Sequence, residues 1–159
     1  MRVRDNIQLK MTELVCVILA CLMTLSLPGA ASAGSAAPAD ITKERYLIRL
    51  AAEQYLDAEK NRDFEAVYRM LAPSSAYVQT HTYEEYRAEA EASPVRIIEY
   101  RVLTIAGIRE NHDRVKYPDI QWFAGVEVEL KLYYRDTGHH RTVNFDFTFV
   151  KVGNRWFKG

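Results

Sequence analysis

Trp122-Phe123-Ala124-Gly125-Val126-Glu127-Val128-Glu129-Leu130-Lys131-Leu132 is the stretch that decides the fold. Trp122, Ala124, Val126, Val128, Leu130 and Leu132 occupy one set of alternate positions, all apolar. Phe123, Gly125, Glu127, Glu129 and Lys131 occupy the other, which carries all the charge. Successive side chains of a strand point to opposite faces, so this period of two predicts a long strand with one buried face. The next stretch repeats the pattern: Val143, Phe145, Phe147 and Phe149 alternate with Asn144, Asp146 and Thr148. Asp136-Thr137-Gly138 between them supplies turn residues, so the two predict an antiparallel hairpin.

Outward from this pair, Arg96 to Ile108 also alternates. Ile98, Tyr100, Val102, Thr104, Ala106 and Ile108 form the uncharged set and are expected to face the core. Ile97, Glu99, Arg101, Leu103 and Ile105 are expected outside. Asn111-His112-Asp113 reads as a turn. At the other end Gly153-Asn154 predicts a tight hairpin and Arg155-Trp156-Phe157 a last short strand.

Before Pro94 the period is helical. Leu47, Ile48, Ala51, Ala52, Tyr55 and Ala58 recur at helix spacing, opened by Asp40 or Thr42 and broken at Asn61-Arg62-Asp63. Asp63 caps a second, short helix with Phe64, Val67, Tyr68 and Leu71 on one stripe, stopped by Pro73. Ser74 to Thr80 reads as a turn with a short strand. Thr82-Tyr83-Glu84-Glu85 has capping-box spacing and opens a third, polar helix that runs to Ser93-Pro94. Helices first and antiparallel strands after predict an α+β domain, its helices packed on one face of a curved antiparallel sheet as a cone-shaped barrel.

This order resembles the nuclear transport factor 2-like superfamily, also called the ketosteroid isomerase-like or cystatin-like α+β cone. The resemblance rests on the long helix, the short helix from Asn61-Arg62-Asp63-Phe64 to Leu71-Ala72-Pro73, the third helix, and the sheet ending in Gly153-Asn154-Arg155-Trp156. It implies a pocket enclosed by sheet and helices. It implies no single activity, because one fold carries many functions.

Ahead of this domain stands a segment of another kind. Arg2, Arg4 and Lys10 form a basic start, Leu14 to Leu27 is apolar apart from Thr24 and Ser26, and Ala31-Ser32-Ala33 is a small-residue cleavage site. That is the pattern of a secretory signal. The expected organisation is a signal peptide at 1–33, a linker at 34–39 and the domain at 40–159. The protein is therefore expected to be exported, to a periplasm or the exterior, with no membrane attachment once the signal is removed. Ile18-Leu19-Ala20-Cys21 loosely fits a lipoprotein box, so a lipid anchor at Cys21 is the minor alternative.

Both cysteines, Cys16 and Cys21, fall within the signal, which leaves the mature chain without disulfides or thiol chemistry. The chain holds 21 Lys+Arg and 21 Asp+Glu, and loss of Arg2, Arg4, Lys10, Asp5 and Glu13 with the signal leaves a net charge of −1. No basic field is available to attract nucleic acid.

Polar residues at inward positions are the candidates for a site. No Asp, Glu or His falls on an inward strand position. Tyr100, Thr104 and Trp122 from the strands and Tyr55 from the first helix are the candidate pocket residues. A tyrosine hydroxyl can donate to a ligand oxygen, and it is equally at home bonding a carbonyl in a core. Glu129 and Asp146 are expected opposite each other on the polar face. His81, His112, His139 and His140 do not converge, so no metal and no cofactor is expected.

The leading expectation is an exported, non-enzymatic domain that binds a small apolar ligand or a protein partner. A cofactor-free isomerase or dehydratase using pocket tyrosines is the alternative, and an accessory subunit of an envelope complex is another. Ile97, Leu103, Ile105, Phe123 and Tyr133 on the outer sheet face suggest a homodimer through the sheet.

Overall fold

The computed structural model describes residues 38–159, with side chains from residue 41 onward. The signal peptide and its cleavage site, Cys21, and residues 34–37 of the expected linker lie outside the described residues. The chain is α+β: four helices followed by a four-stranded antiparallel meander in the order β1-β2-β3-β4. The helices are α1 (Pro38–Asn61), α2 (Phe64–Met70), α3 (Ala76–Thr80) and α4 (Tyr83–Ala92). The strands are β1 (Val95–Glu110), β2 (Ile120–Tyr134), β3 (His140–Val152) and β4 (Arg155–Lys158). The sheet is curved but does not close on itself. No described helix is long and apolar enough to cross a membrane.

Helix α1 begins at Pro38, so Asp40, expected as its cap, lies within it. It lies along the inner face of the sheet, burying Ile48, Ala51, Ala52, Tyr55, Leu56 and Ala58. The three alanines keep that stripe narrow. Arg62 ends the helix in the left-handed region at φ 57°, and the Asp63 carboxylate accepts from the Ala66 amide to start α2. The segment expected as turn and strand is instead the short helix α3, capped by Ser75. The Thr82–Glu85 capping box forms as its spacing predicts.

Strand β2 follows its alternation: Ala124, Val126, Val128, Leu130 and Leu132 are all buried. Strand β3 buries Phe147 and Phe149 and leaves Phe145 half-buried. Gly153, at φ 59°, makes the turn into β4.

Strand β1 does not follow its alternation. Its pairing with β2 slips between Ile97 and Glu99, between Val102 and Thr104, and between Ala106 and Arg109. Ile98 and Leu103 are the extra residues of the first two bulges. Gly107 takes φ 59° within the third, a conformation open chiefly to glycine. Each bulge shifts the phase by one, because a single-residue slip sends every later side chain to the other face. The residues that pack on the core are therefore Val95, Ile97, Tyr100, Val102, Ile105 and Ile108. Ile98, Thr104 and Ala106, expected inside, are not among them, and Thr104 and Ala106 are exposed. Three bulges on one long strand also bend it, which gives the sheet its curvature.

The same slips dismantle the outer apolar patch. Ile97 and Ile105 turn inward, and Phe123 is covered by the Tyr117 ring at 5.7 Å and the Arg109 guanidinium at 4.7 Å. The β2–β3 register also corrects one pairing: Asp146 lies opposite Glu127, not Glu129, which faces Asn144 and pairs with Arg101 at 3.1 Å.

The bulges make opposite forecasts for neighbouring residues. Ile105→Ala is expected to cost about 2–5 kcal/mol in urea unfolding, as for a buried aliphatic truncation, and Leu103→Ala less than about 1 kcal/mol. The reverse order would restore the unbroken alternation.

Candidate functional site

Of the four sequence-predicted site residues, Tyr55, Tyr100 and Trp122 belong to or pack against one core cluster, and Thr104 is exposed. Tyr55 is buried on α1, edge-on to Phe147 at 6.1 Å and to Phe149 at 6.5 Å. Tyr100 crosses from β1 to the flank of α1, where its hydroxyl donates to Asp57 Oδ1 at 2.8 Å and to the Glu53 carbonyl at 3.3 Å. Burial, and then the bond to Asp57, push its pKa up to about 12. Thr104 is exposed, turned outward by the second bulge. Trp122 is half-buried and pairs with Lys151, whose amine bonds to Glu44 near the start of α1. At 1.5 Å rise per residue, Glu44 is about 22 Å along the helix from Glu59. A cavity of about 320 Å³ opens elsewhere, against Pro73, Ser74, Gln79, Asp119, Val152 and Gly153, and none of the four lines it.

The chemistry gathers instead around a residue on no strand. Glu59 lies on α1 one turn after Tyr55, and the Tyr55 hydroxyl donates to its Oε1 at 2.8 Å. Burial raises the Glu59 pKa above its usual 4.5, against the lowering effects of the Tyr55 bond, Lys158 and Arg62. A charged carboxylate is disfavoured wherever protein atoms replace water, and here that effect outweighs the neighbouring donor and cations. The residue keeps part of its surface at solvent.

The walls are aromatic. Tyr86 of α4 is buried, and its own pKa is raised by burial and then by Glu59. Phe64 and Tyr68 of α2 lie 6.5 Å and 5.6 Å from the Tyr86 ring. Tyr68 is fixed by donation to the His81 carbonyl at 2.7 Å. Strand β4 brings Lys158 over the Phe147 ring at 5.3 Å. Tyr86 of α4 and Lys158 of β4 thus both act on one carboxyl that holds its proton more tightly than a solvated glutamate does. Such a group can donate as an acid, accept as a base, or hold a ligand's hydrogen-bond donor.

Strand alternation does not reveal Glu59, because the residue belongs to a helix. Its signal is present all the same: Ile48, Ala52, Tyr55 and Glu59 continue a single helical stripe. A second buried carboxylate, Glu44, is fully occupied by Lys151 Nζ at 2.5 Å and Trp156 Nε1 at 2.8 Å. His81 stacks on Tyr77 at 4.2 Å. Among the described residues no group of three or more His, Asp or Glu is placed to hold a metal ion.

No family model matches the chain, and the comparison with curated proteins finds no match. Among solved structures the chain is similar to Aln2 from a Streptomyces species. Identity is 10%, over 77% of this chain and 88% of that one, with a TM-score of 0.49.

A raised carboxyl pKa fixes the sign of a pH effect. The folded protein binds the Glu59 proton more tightly than the unfolded chain does. This contribution is fully present below the unfolded value of 4.5 and is lost as pH rises through the folded pKa. The stability of wild type relative to Glu59→Gln is therefore expected to fall as pH rises from 4 toward neutrality, read from urea melts of both proteins. A difference that is constant with pH, or that grows with pH, contradicts the assignment.

Proposed function

We propose that this domain is an exported, non-enzymatic binding module of the nuclear transport factor 2-like type. Its ligand is small and largely apolar, and lies against the C-terminal half of α1 with Glu59 as its polar contact. The element order supports the type: a long helix, a short Asp-capped helix, a further helix, and a curved antiparallel sheet ending in Gly153-Asn154-Arg155-Trp156. The observation that carries the function is the Glu59 carboxyl, bonded to Tyr55 and beside Tyr86 despite the desolvation that raises its pKa. A methylene in that place would be easier to bury, and a titratable group perturbed by desolvation is a candidate for a functional site. Aromatic walls with one placed polar group are what a site for a small organic molecule needs.

The same carboxyl favours one other reading, a cofactor-free isomerase or dehydratase. A general base works best with a pKa shifted toward the operating pH, and the Tyr55 and Tyr86 hydroxyls stand near as donors. The binding reading ranks first because Tyr55 already donates to the carboxyl.

Benzylamine, benzyl alcohol and benzoate test the site as probes of one shape and three polar ends. Saturation-transfer NMR at pH 8 is expected to show the amine and the alcohol binding and benzoate excluded. Glu59→Gln is expected to weaken the amine about tenfold, the loss of one charge-assisted hydrogen bond. Binding of none of the three, or equal binding to Glu59→Gln, contradicts the proposal. Proton–deuterium exchange into a bound ketone probe, lost in Glu59→Gln, would transfer the conclusion to the enzyme reading.

A further inference from the structure

A cavity of about 320 Å³ lies against segments far apart in the chain. Pro73, Ser74 and Gln79 come from the α2–α3 turn and α3, Asp119 from the β1–β2 loop, and Val152 and Gly153 from the β3–β4 hairpin. Small-molecule sites commonly measure ~300–1,000 Å³, so this one suits a molecule of one ring. Each wall is fixed by the fold. The Ala72 amide donates to the Lys158 carbonyl at 2.7 Å and the Ser75 amide to the Ala72 carbonyl at 2.9 Å, which seats the α2–α3 turn on β4. The Ser75 hydroxyl caps α3 and so sets the helix that carries Gln79. In the β1–β2 loop the buried Asn111 side chain donates to the carbonyls of Tyr117 and Ile120, at 2.8 and 2.9 Å, on either side of Pro118-Asp119. Ala72 and Ile120, chain neighbours of the lining, are buried with Val150 in one apolar cluster, and Val152 packs against it.

The polar groups of the lining are not spent on holding the fold. Ser and Asp in turns commonly bond to nearby backbone, and the neighbouring turns follow that rule. Asp63, Ser75 and Thr82 cap helices, Asn111 holds its loop, and Asp113 accepts from the Lys116 amide at 3.0 Å. The Ser74 hydroxyl, the Gln79 amide and the Asp119 carboxylate differ: none of these side chains has a hydrogen bond or ion pair among the described residues. A hydroxyl, an amide and a carboxylate therefore meet at one cavity with their bonding capacity open, beside the apolar surface of Pro73 and Val152.

We propose that this cavity binds a small neutral polyhydroxylated molecule the size of a single sugar ring. Each hydroxyl both donates and accepts, so neighbouring hydroxyls can give to Asp119, exchange with Ser74, and meet both ends of the Gln79 amide. An anion would face the Asp119 carboxylate with no lining cation to offset it. An ammonium carries donors alone and would leave the Gln79 N–H groups unmatched. Pro73 and Val152 give the C–H face of a ring an apolar surface to lie on. The site shares no residue with the Glu59 cluster and does not depend on what binds there.

Titration with glucose, galactose, mannose and ribose, followed on the NMR signals of the Gln79 side-chain amide and the Gly153 backbone amide, tests the site. At least one sugar is expected to bind saturably, with a dissociation constant of about a millimolar. Gln79 and Asp119 are exposed, so Gln79→Ala and Asp119→Asn are expected to melt as wild type does. Each is expected to weaken that sugar about tenfold, the loss of one hydrogen-bonding group. Glu59→Gln is expected to leave the affinity unchanged, which separates this site from the one proposed at Glu59. Failure of all four sugars, signals that shift elsewhere and not at Gln79 and Gly153, or affinity that survives in both cavity variants overturns the proposal. Saturable binding of methylamine, lost in Asp119→Asn where the sugars fail, overturns it as well and marks a cation site.

Discussion

A buried carboxylate near the beginning of α1 fixes where that helix lies. Glu44 is 5% exposed, and burying its charge without partners would cost several kcal/mol. Lys151 on β3 and Trp156 on β4 satisfy its two oxygens at 2.5 and 2.8 Å. On the other side of the helix Arg45 donates to the Ile105 carbonyl of β1. Adjacent residues thus tie one turn of α1 to the first strand and to the last hairpin. Farther along, Tyr100 of β1 holds the flank of α1 through Asp57. A helix held at these points cannot slide or roll over the sheet without leaving Glu44 unpaired. Its apolar stripe then falls on Val126, Val128, Leu130, Phe147 and Phe149.

The bulges of β1 work with this tether. A flat, regular β1 would present Thr104 and Ala106 to the helix. The slipped strand presents Ile105 and Ile108 instead and curves the sheet around α1. Its inserted residues, Ile98 and Leu103, are both apolar, which is why the alternation of β1 looks unbroken in sequence. Strand β2 could be read correctly because its pattern matches its structure throughout the buried run. The caps could be read because capping is local: Asp63 and the Thr82–Glu85 box involve residues three apart. Helix α3 escaped because its five residues carry no apolar period, only the Ser75 cap. The register of Glu127 with Asp146 depends on the count through the β2–β3 turn, which composition does not fix.

The site was legible in part for the same reason. Tyr55 could be singled out from its helical stripe, and it does lie in the aromatic cluster. Thr104 was misplaced by the second bulge. Tyr100 and Trp122 are tied to α1, one directly through Asp57 and the other beside Lys151. Glu59 could have been found from its spacing to Tyr55, but its meaning depends on Tyr86, Phe147 and Lys158, which chain separation hides. The tether at Glu44 and the carboxyl at Glu59 are two uses of one helix: the first is bonded to Lys151 and Trp156 and holds the fold, the second accepts from Tyr55 at an aromatic place where burial raises its pKa.

That contrast gives the central claim its most direct test, a carbon-13 NMR titration of the Glu59 side-chain carboxyl in wild type and in Tyr55→Phe. The account predicts a midpoint above 4.5 in wild type, moved higher still in Tyr55→Phe, because the lost hydroxyl favours the charged form. A wild-type midpoint at or below 4.5 would contradict it, since Glu59 would then be an ordinary solvated carboxylate.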